Sequence, residues 1–380
     1  MNKKKIIFLV YSLAGGGIER IVVDLYYFLK NKINLKIVTF ENKIDFNIEN
    51  DAIINLNVKA TDCIFIKPLI FILRVYKFKK LLKKYKPDAV LSFGESMNFV
   101  NLFSTKKSII SVHSVKSISN KNIGIIGKIH NFMIKKFYKM ALNILTDSYT
   151  IKNDLIKNYN LPSHKIEVVY VPTNTKKIIK MSKQKIEFDY KKKNIITNVG
   201  RVCEVKRQDI LIKAFKNCYN SKKDLLLIIG KGEMEEELKD LTKKLNIEKN
   251  VVFLGWQENP YKYIAKSKIF ILTSYYEGFP VVLVEALSLG VPVISTNLGG
   301  VAYEILSKEN EYQKIGDIEL CKYGIITKSD IVSLSGAIRF LLDNYKIWKK
   351  LKNNIKSFRY KFDINIIGKR YLEIINEAIS

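Results

Sequence analysis

The sequence predicts an α/β protein of two doubly wound, Rossmann-like domains facing each other across a cleft, and three observations carry that expectation. The chain has 380 residues, 47% of them hydrophobic and 11% aromatic, which is ample for two buried cores and too long for one ordinary domain. Short apolar runs alternate with helix-periodic segments along nearly the whole length, the pattern of βαβ units around a parallel sheet. The alternation breaks once, over 172–192, and then starts again. That break is polar, lysine-heavy and without a clean period, so it reads as a linker between domains spanning 1–180 and 190–365.

In the first series the strand-like runs are 5–12, 35–40, 89–93, 108–113 and 143–146. In the second they are 195–201, 225–229, 251–254, 268–272 and 291–295. Most are continuously apolar rather than alternating, as strands are when both faces of a sheet are covered. The first run has a rival reading, because Lys3-Lys4-Lys5 ahead of a short apolar stretch has the look of a signal peptide. Gly15-Gly16-Gly17 and the amphipathic IERIVVDLYYFLK that follow turn it into a strand, a glycine loop and a helix. No stretch reaches the ~18 uninterrupted apolar residues of a membrane-crossing helix.

Sixty-five Lys and Arg against 36 Asp and Glu give a net charge of +29. Residues 1–187 hold 33 basic and 13 acidic side chains, and residues 188–380 hold 32 and 23, so the excess lies mainly in the first half. Such an excess implies a polyanionic partner, whether nucleic acid, a phosphorylated substrate or an anionic membrane, unless the surface is simply lysine-rich. Nucleic acid is not expected, since no helix–turn–helix, RNP or zinc-finger pattern is present. Segments 68–86 and 125–142 mix bulky apolar residues with lysines. Either one face of each enters a bilayer surface while its lysines meet anionic headgroups, or both pack on the first sheet with lysines outward. The four cysteines are scattered and fit free buried thiols in a reducing compartment. Three histidines without metal-ligand spacing predict no metal site.

The most informative stretch runs from Ser274 to Ser295. It reads as a strand end, a loop, a helix with Pro280 in its first turn, and another strand, the helix being stopped by Gly290 and Pro292. Glu277 falls in the loop at the strand mouth. Glu285 falls inside an otherwise apolar helix, where a carboxylate is costly to bury unless it accepts hydrogen bonds, for which sugar hydroxyls are natural donors. The alternative is that Glu285 points to solvent.

Glu277 and Glu285 resemble the Glu-x7-Glu signature of glycosyltransferase family 4, retaining enzymes of the GT-B fold. The likeness extends to Leu13–Arg20 with its glycine loop, to Gly200-Arg201 with Lys206, to 228–238, to 251–256 and to Leu298-Gly299-Gly300 followed by Glu304. It covers nearly the whole chain, most weakly at 41–86 and 305–345. The resemblance implies that the second domain binds a nucleotide diphosphate sugar and the first binds the acceptor, with residues 366–380 returning to the first. Glu285 would bind the donor ribose. Glu277 would lie beside the donor sugar, whose hydroxyls the backbone of Gly278 and Phe279 would bind. Arg201 and Lys206 would neutralise the diphosphate, the Gly299–Gly300 loop would cradle it, and Gly16 and Gly17 would lie near diphosphate and acceptor. His113, at a strand end, would contact the donor sugar. No Asp-x-Asp pair is present, in keeping with a site that needs neither metal nor other cofactor.

The expected activity is therefore retaining transfer of a sugar, UDP-linked by resemblance, to an acceptor hydroxyl. The basic first half points to a lipid-linked glycan at the cytosolic face of the inner membrane, in cell-surface polysaccharide or glycan assembly, and to peripheral contact with an anionic surface. A sugar-nucleotide epimerase of the same fold and a catalytically silent binding protein are the competing readings.

Overall fold

The first apolar run becomes β1 (Lys5–Leu9), the glycine loop after it opens α1 (Gly17–Leu29), and β2 (Asn34–Thr39) follows. Then come β3 (Ile53–Asn55), α2 (Lys67–Tyr85), β4 (Ala89–Phe93), α3 (Glu95–Ser104) and β5 (Ser108–Val112). α4 (Lys116–Lys121), α5 (Gly124–Phe137), β6 (Asn143–Thr146), α6 (Tyr149–Tyr159) and β7 (Ile166–Val168) complete the series. The computed structural model describes residues 3–61, 63, 65–121, 123–186, 193–307, 311–358 and 361–379. The seven strands are all parallel, in the order β3-β2-β1-β4-β5-β6-β7. β1, β4 and β5 have no fully exposed apolar residue, as two-sided cover requires. Strand order reverses between β1 and β4, so the loops after them flank a crevice at the carboxyl edge of the sheet.

The second series contains α7 (Thr175–Ser182), β8 (Asn194–Val199), α8 (Gln208–Cys218), β9 (Asp224–Ile229), α9 (Glu235–Lys244) and β10 (Val251–Gly255). It continues with α10 (Tyr261–Ile264), β11 (Ile269–Leu272), α11 (Val281–Ser288), β12 (Val293–Thr296) and α12 (Val301–Leu306). β13 (Tyr312–Ile315), β14 (Ile318–Cys321), β15 (Gly324–Thr327), α13 (Ile331–Asp343), α14 (Tyr345–Ile355) and α15 (Ile364–Glu377) end the chain. This sheet runs β10-β9-β8-β11-β12-β15-β14-β13 and reverses between β8 and β11. β14 is antiparallel to both of its neighbours, and β13, β14 and β15 were not foreseen, because these short runs follow one another without the helices of a βαβ unit.

Residues 1–172 and 364–380 form one compact unit and 173–363 the other. The break at 172–192 is thus not all linker. Asn174 caps α7 by accepting from the Lys177 amide at 3.0 Å, and the α7 carbonyl of Met181 accepts from Asn259 at 2.9 Å. α7 packs on α10 and α11, so it belongs to the second unit, and the boundary lies before it rather than at 180. Only Thr175 and Ile178 of α7 are buried, too few apolar positions to display a helical period. The rest of the break, 187–192, lies outside the described residues.

α2 and α5 depart from the reading that packs both on the first sheet with lysines outward. α2 turns Phe71, Val75 and Phe78 towards the core, yet Leu69, Ile72, Leu73 and Tyr76 form a second apolar stripe in solvent. α5 likewise exposes Ile125, Ile129 and Phe132. Lysine is therefore not the whole outer face of either helix, and no described helix is long and apolar enough to cross a membrane. All four thiols are free, but Cys63 is exposed, against the expectation of burial. Burial pushes the Cys218 and Cys321 thiols up to about 12, which leaves them protonated and inert at neutral pH.

α15 packs on α1 by a close approach at Gly368, where an added Cβ would stand 2.4 Å from the Phe28 ring. Arg370 then pairs with Glu167 at 2.5 Å. Gly368→Ala should lower stability by about 1–3 kcal/mol through overpacking, read as a lower denaturant midpoint, and Phe28→Leu in the same chain should recover part of the loss.

Candidate functional site

In the second unit, β8 and β11 pair only through Ile196–Ile269 and Thr197–Phe270, then part. Asn198 bridges the widening gap, its side-chain amide donating to the Ile271 carbonyl at 2.8 Å. The loops beyond are stitched together in turn. The Tyr275 amide donates to the Val205 carbonyl at 2.7 Å, and the Thr273 hydroxyl to the Lys206 carbonyl at 2.9 Å. These bonds bring Lys206 to Glu277, Nζ to Oε1 at 2.5 Å, and the Ser274 hydroxyl donates to the same oxygen at 2.7 Å. Lys206 also lies across the bare Cα face of Gly200, within van der Waals contact of where a Cβ would be. Arg201 is exposed, its backbone carbonyl fixed by Gln208 at 3.1 Å. Gly230 follows β9 at φ +142°, and an added Cβ would stand 1.9 Å from the Gly200 carbonyl oxygen. Glycine there lets the two loops meet backbone to backbone.

Glu285 is buried at 4% exposure, so the solvent-facing reading fails. Its Oε1 accepts from the Tyr261 hydroxyl at 2.8 Å. Tyr261 was not singled out in the sequence, because it lies 24 positions before Glu285 and only the fold brings α10 to α11. Pro280 caps α11 rather than entering it, and Gly290, at φ +78°, ends that helix. Phe279 is buried against Phe362, ring centroids 5.5 Å apart, which anchors the Gly278–Phe279 backbone beside Glu277. Gly299 and Gly300 follow β12 with φ of +69° and +114°, and the Gly299 amide donates to the Asn297 side chain at 3.1 Å.

In the first unit, Gly16 caps α1 in an extended conformation and Gly17 starts the helix. An added Cβ on Gly16 would meet Glu19 Oε2 at 2.1 Å, so glycine there makes room for a carboxylate folded back over the loop. Burial raises the Glu19 carboxyl above its ordinary range, opposed by its own backbone amide and by the charge of His113. His113 follows β5, and both of its ring nitrogens are engaged: Nε2 with the Ser111 hydroxyl at 2.8 Å, Nδ1 with Asp147 at 2.7 Å. Asp147 was missed in the sequence because its contact with His113 spans 34 residues, and Ser111, two positions before His113, was not singled out. His130 lies instead with Glu95, which also pairs with Lys116. Among the described residues no three His, Cys, Asp or Glu side chains gather as a metal-ligand set.

The structure therefore brings Lys206, Glu277 and Ser274 together, with Arg201 in the same loop as Lys206, and sets Gly16, Gly17 and His113 in the other unit. Two Rossmann-like units with polar loops at their strand-order reversals define the GT-B class. The family description Glycosyltransferase Family 4 matches residues 15–177, and Glycosyl transferases group 1 matches 180–358. An N-acetylgalactosamine-N,N'-diacetylbacillosaminyl-diphospho-undecaprenol 4-alpha-N-acetylgalactosaminyltransferase of Campylobacter jejuni is 29% identical over 364 residues, covering 93% of this chain and 94% of that protein. An uncharacterized glycosyltransferase of Methanocaldococcus jannaschii is 31% identical over 308 residues, covering 76% and 75%. The structure of Anabaena HepE in complex with UDP matches 98% of this chain and 100% of that one, with TM-score 0.77 at 18% identity. The chain belongs to glycosyltransferase family 4 and is a glycosyltransferase.

Tyr261→Phe should leave a buried carboxylate oxygen short of a donor and cost about 1–3 kcal/mol. The loss is read by denaturant unfolding, and Glu285→Gln alongside it should soften the penalty by removing the buried charge.

Proposed function

We propose that this glycosyltransferase moves a sugar from a UDP-linked donor to a hydroxyl of a lipid-linked glycan, with retention and without a metal. The Lys206–Glu277–Ser274 constellation, with Arg201 in the same loop, is the observation that carries the reading. As the donor bond breaks, negative charge develops on the diphosphate, and cations positioned beforehand stabilise it more in the transition state than in the ground state. Lys206 and Arg201 fill that role. Glu277 holds Lys206 in place and lies beside the donor sugar, whose hydroxyls the Gly278 and Phe279 backbone binds. Glu285, oriented by Tyr261, accepts from the ribose. Backbone amides of Gly299 and Gly300 meet the diphosphate, and Gly16 and Gly17 act near it and the acceptor. His113, its ring nitrogens committed to Ser111 and Asp147, acts through its ring edge and backbone. A leaving phosphate oxygen takes the acceptor proton on the same face, which keeps the anomeric configuration.

UDP is favoured by the nucleotide named with HepE, and a lipid-linked acceptor by the diphospho-undecaprenol in the name of the Campylobacter relative. The charge excess of residues 1–187 and the outward apolar stripes of α2 and α5 support contact with an anionic membrane, which for a nucleotide-sugar enzyme is the cytosolic face of the inner membrane.

UDP, GDP, ADP, CMP and TDP, each near ~100 times a dissociation constant, would add about 2.7 kcal/mol to the stability of a chain that binds them. Melting curves should rise with UDP alone, and the rise should vanish in Glu285→Ala and in Arg201→Ala/Lys206→Ala. No shift with any nucleotide overturns the donor site. Turnover of a polyprenyl-diphosphate glycan should survive EDTA, and proton NMR of the product should show the donor's anomeric configuration. Sedimentation with anionic vesicles at low salt tests the membrane contact, and a chain left in the supernatant refutes it.

A further inference from the structure

The first unit contains a cleft of about 810 Å³ bounded by α2, α3, α4 and α5. Most of its wall is apolar, built from Ile70, Phe71, Phe99, Ile126, Ile129 and Met133. Its volume falls within the ~300–1,000 Å³ of small-molecule sites, and leaving so much apolar wall against water is unfavourable. The remaining wall is mainly polar and comes from α2, α3, α4 and α5 and from the loop after β5. Glu95 opens α3 just after β4, and Ser114 and Lys116 follow β5 directly after His113. Lys116 is buried at 7% exposure and pairs with Glu95, whose Oε1 lies 3.1 Å from His130 Nδ1. Ser119, also in the wall, has a buried hydroxyl with no hydrogen-bond partner. Lys67 adds a further cation.

This pairing of an apolar trough with a basic, hydroxyl-bearing end fits a ligand that is greasy along its length and anionic at its head. A free sugar would leave the apolar wall bare, and a plain hydrocarbon would leave the buried Ser119 hydroxyl without a partner. We propose that the cleft binds the isoprenoid-diphosphate portion of the acceptor: the first isoprene units lie along Ile70, Phe71, Ile126, Ile129 and Met133, and the diphosphate meets Lys116, His130, Lys67 and the Ser119 hydroxyl. A sugar attached to that diphosphate starts in the loop that carries His113. The exposed stripes, Leu69, Ile72 and Tyr76 on α2 and Ile125 and Phe132 on α5, are continuous with the helices that wall the cleft. They meet the bilayer from which the rest of the lipid extends.

The proposal rests on the lipid-linked acceptor reading above, and its test separates the two. Titration calorimetry of the full chain with farnesyl diphosphate, farnesol, oleate and inorganic diphosphate should show tight binding of farnesyl diphosphate alone. Lys116→Ala, and a charge set into the apolar wall by Ile126→Asp, should each weaken it at least about tenfold, while the UDP-induced melting shift stays intact. Met133→Trp, which fills the trough without adding charge, should do the same and serves if Ile126→Asp does not fold. Equal binding of farnesol or oleate, binding of inorganic diphosphate as tight as that of farnesyl diphosphate, or unchanged affinity in these variants overturns the site. If lipid-linked acceptors are turned over with an unchanged KM by Ile126→Asp and Met133→Trp, the cleft falls and the acceptor class stands. If farnesyl diphosphate binds as described but only lipid-free acceptors react, the acceptor class falls and the cleft stands.

Discussion

The parting of β8 from β11 is the constraint on which the candidate site of the second unit depends. A parallel sheet wound outwards in both directions from a central pair must send the two crossovers to opposite faces, and the loops leaving that pair diverge. Divergence creates a crevice but also strands backbone groups that a continuous ladder would have paired. The chain answers with side chains and loop amides. Asn198 reaches the Ile271 carbonyl, Thr273 reaches the Lys206 carbonyl, and Tyr275 donates to Val205. Each satisfies a backbone carbonyl, and together they fix the Lys206 loop against the Glu277 loop. A cation and a carboxylate at 2.5 Å follow from that stitching.

The same logic governs how tightly the loops at the candidate site can be drawn in. Gly230 packs on the Gly200 carbonyl with no room for a methyl group, and Lys206 lies over Gly200 at ordinary van der Waals distance from where a Cβ would stand. At Gly16 the missing Cβ is replaced by the Glu19 carboxylate, so the glycine loop of the first unit carries a negative group of its own. A loop holding a half-buried carboxylate is less attractive to a diphosphate than one of bare amides. On the proposed donor reading, the cations of the second unit would carry more of the phosphate recognition than the glycine run suggests.

The sequence revealed what repeats and hid what reaches. Ten strands were legible because each is a short apolar run between turn signals, and their bounds fell within a few residues of the runs read. β3 and β7, three residues each, are too short to show a pattern, β14 and β15 are short buried runs with no helix between them, and β13 is exposed at the sheet edge, where exposure removes the hydrophobic signal. α7 was hidden for the same reason, with two buried residues in eight. At the site, Glu277, Glu285, Lys206 and Arg201 were legible from resemblance, because their spacing is local. Tyr261, Asp147 and Ser274 were not picked out, since what they do depends on which loops the topology brings together. The burial of Glu285 was undecidable from its helix alone, because an apolar helix with one carboxylate reads alike whether that residue faces water or a tyrosine.

Charge and hydropathy told less about α2 and α5, and the reason is geometric. A helix has one periodicity but a full circle of faces, and α2 uses two apolar stripes: Phe71, Val75 and Phe78 inward, Leu69, Ile72 and Tyr76 outward. In sequence the two stripes interleave and blur each other, so the helix looks weakly amphipathic with lysines crowded towards its end. Only a folded core separates them by using one stripe and leaving the other. The outward stripe has no partner among the packed elements described here, and its neighbours along the helix are Lys79, Lys80 and Lys83. Apolar groups leading into a lysine cluster on one face match the depth profile of a bilayer surface, hydrocarbon first and anionic phosphate above it. Core packing accounts for the inner stripe, and the membrane contact proposed above would account for the outer one.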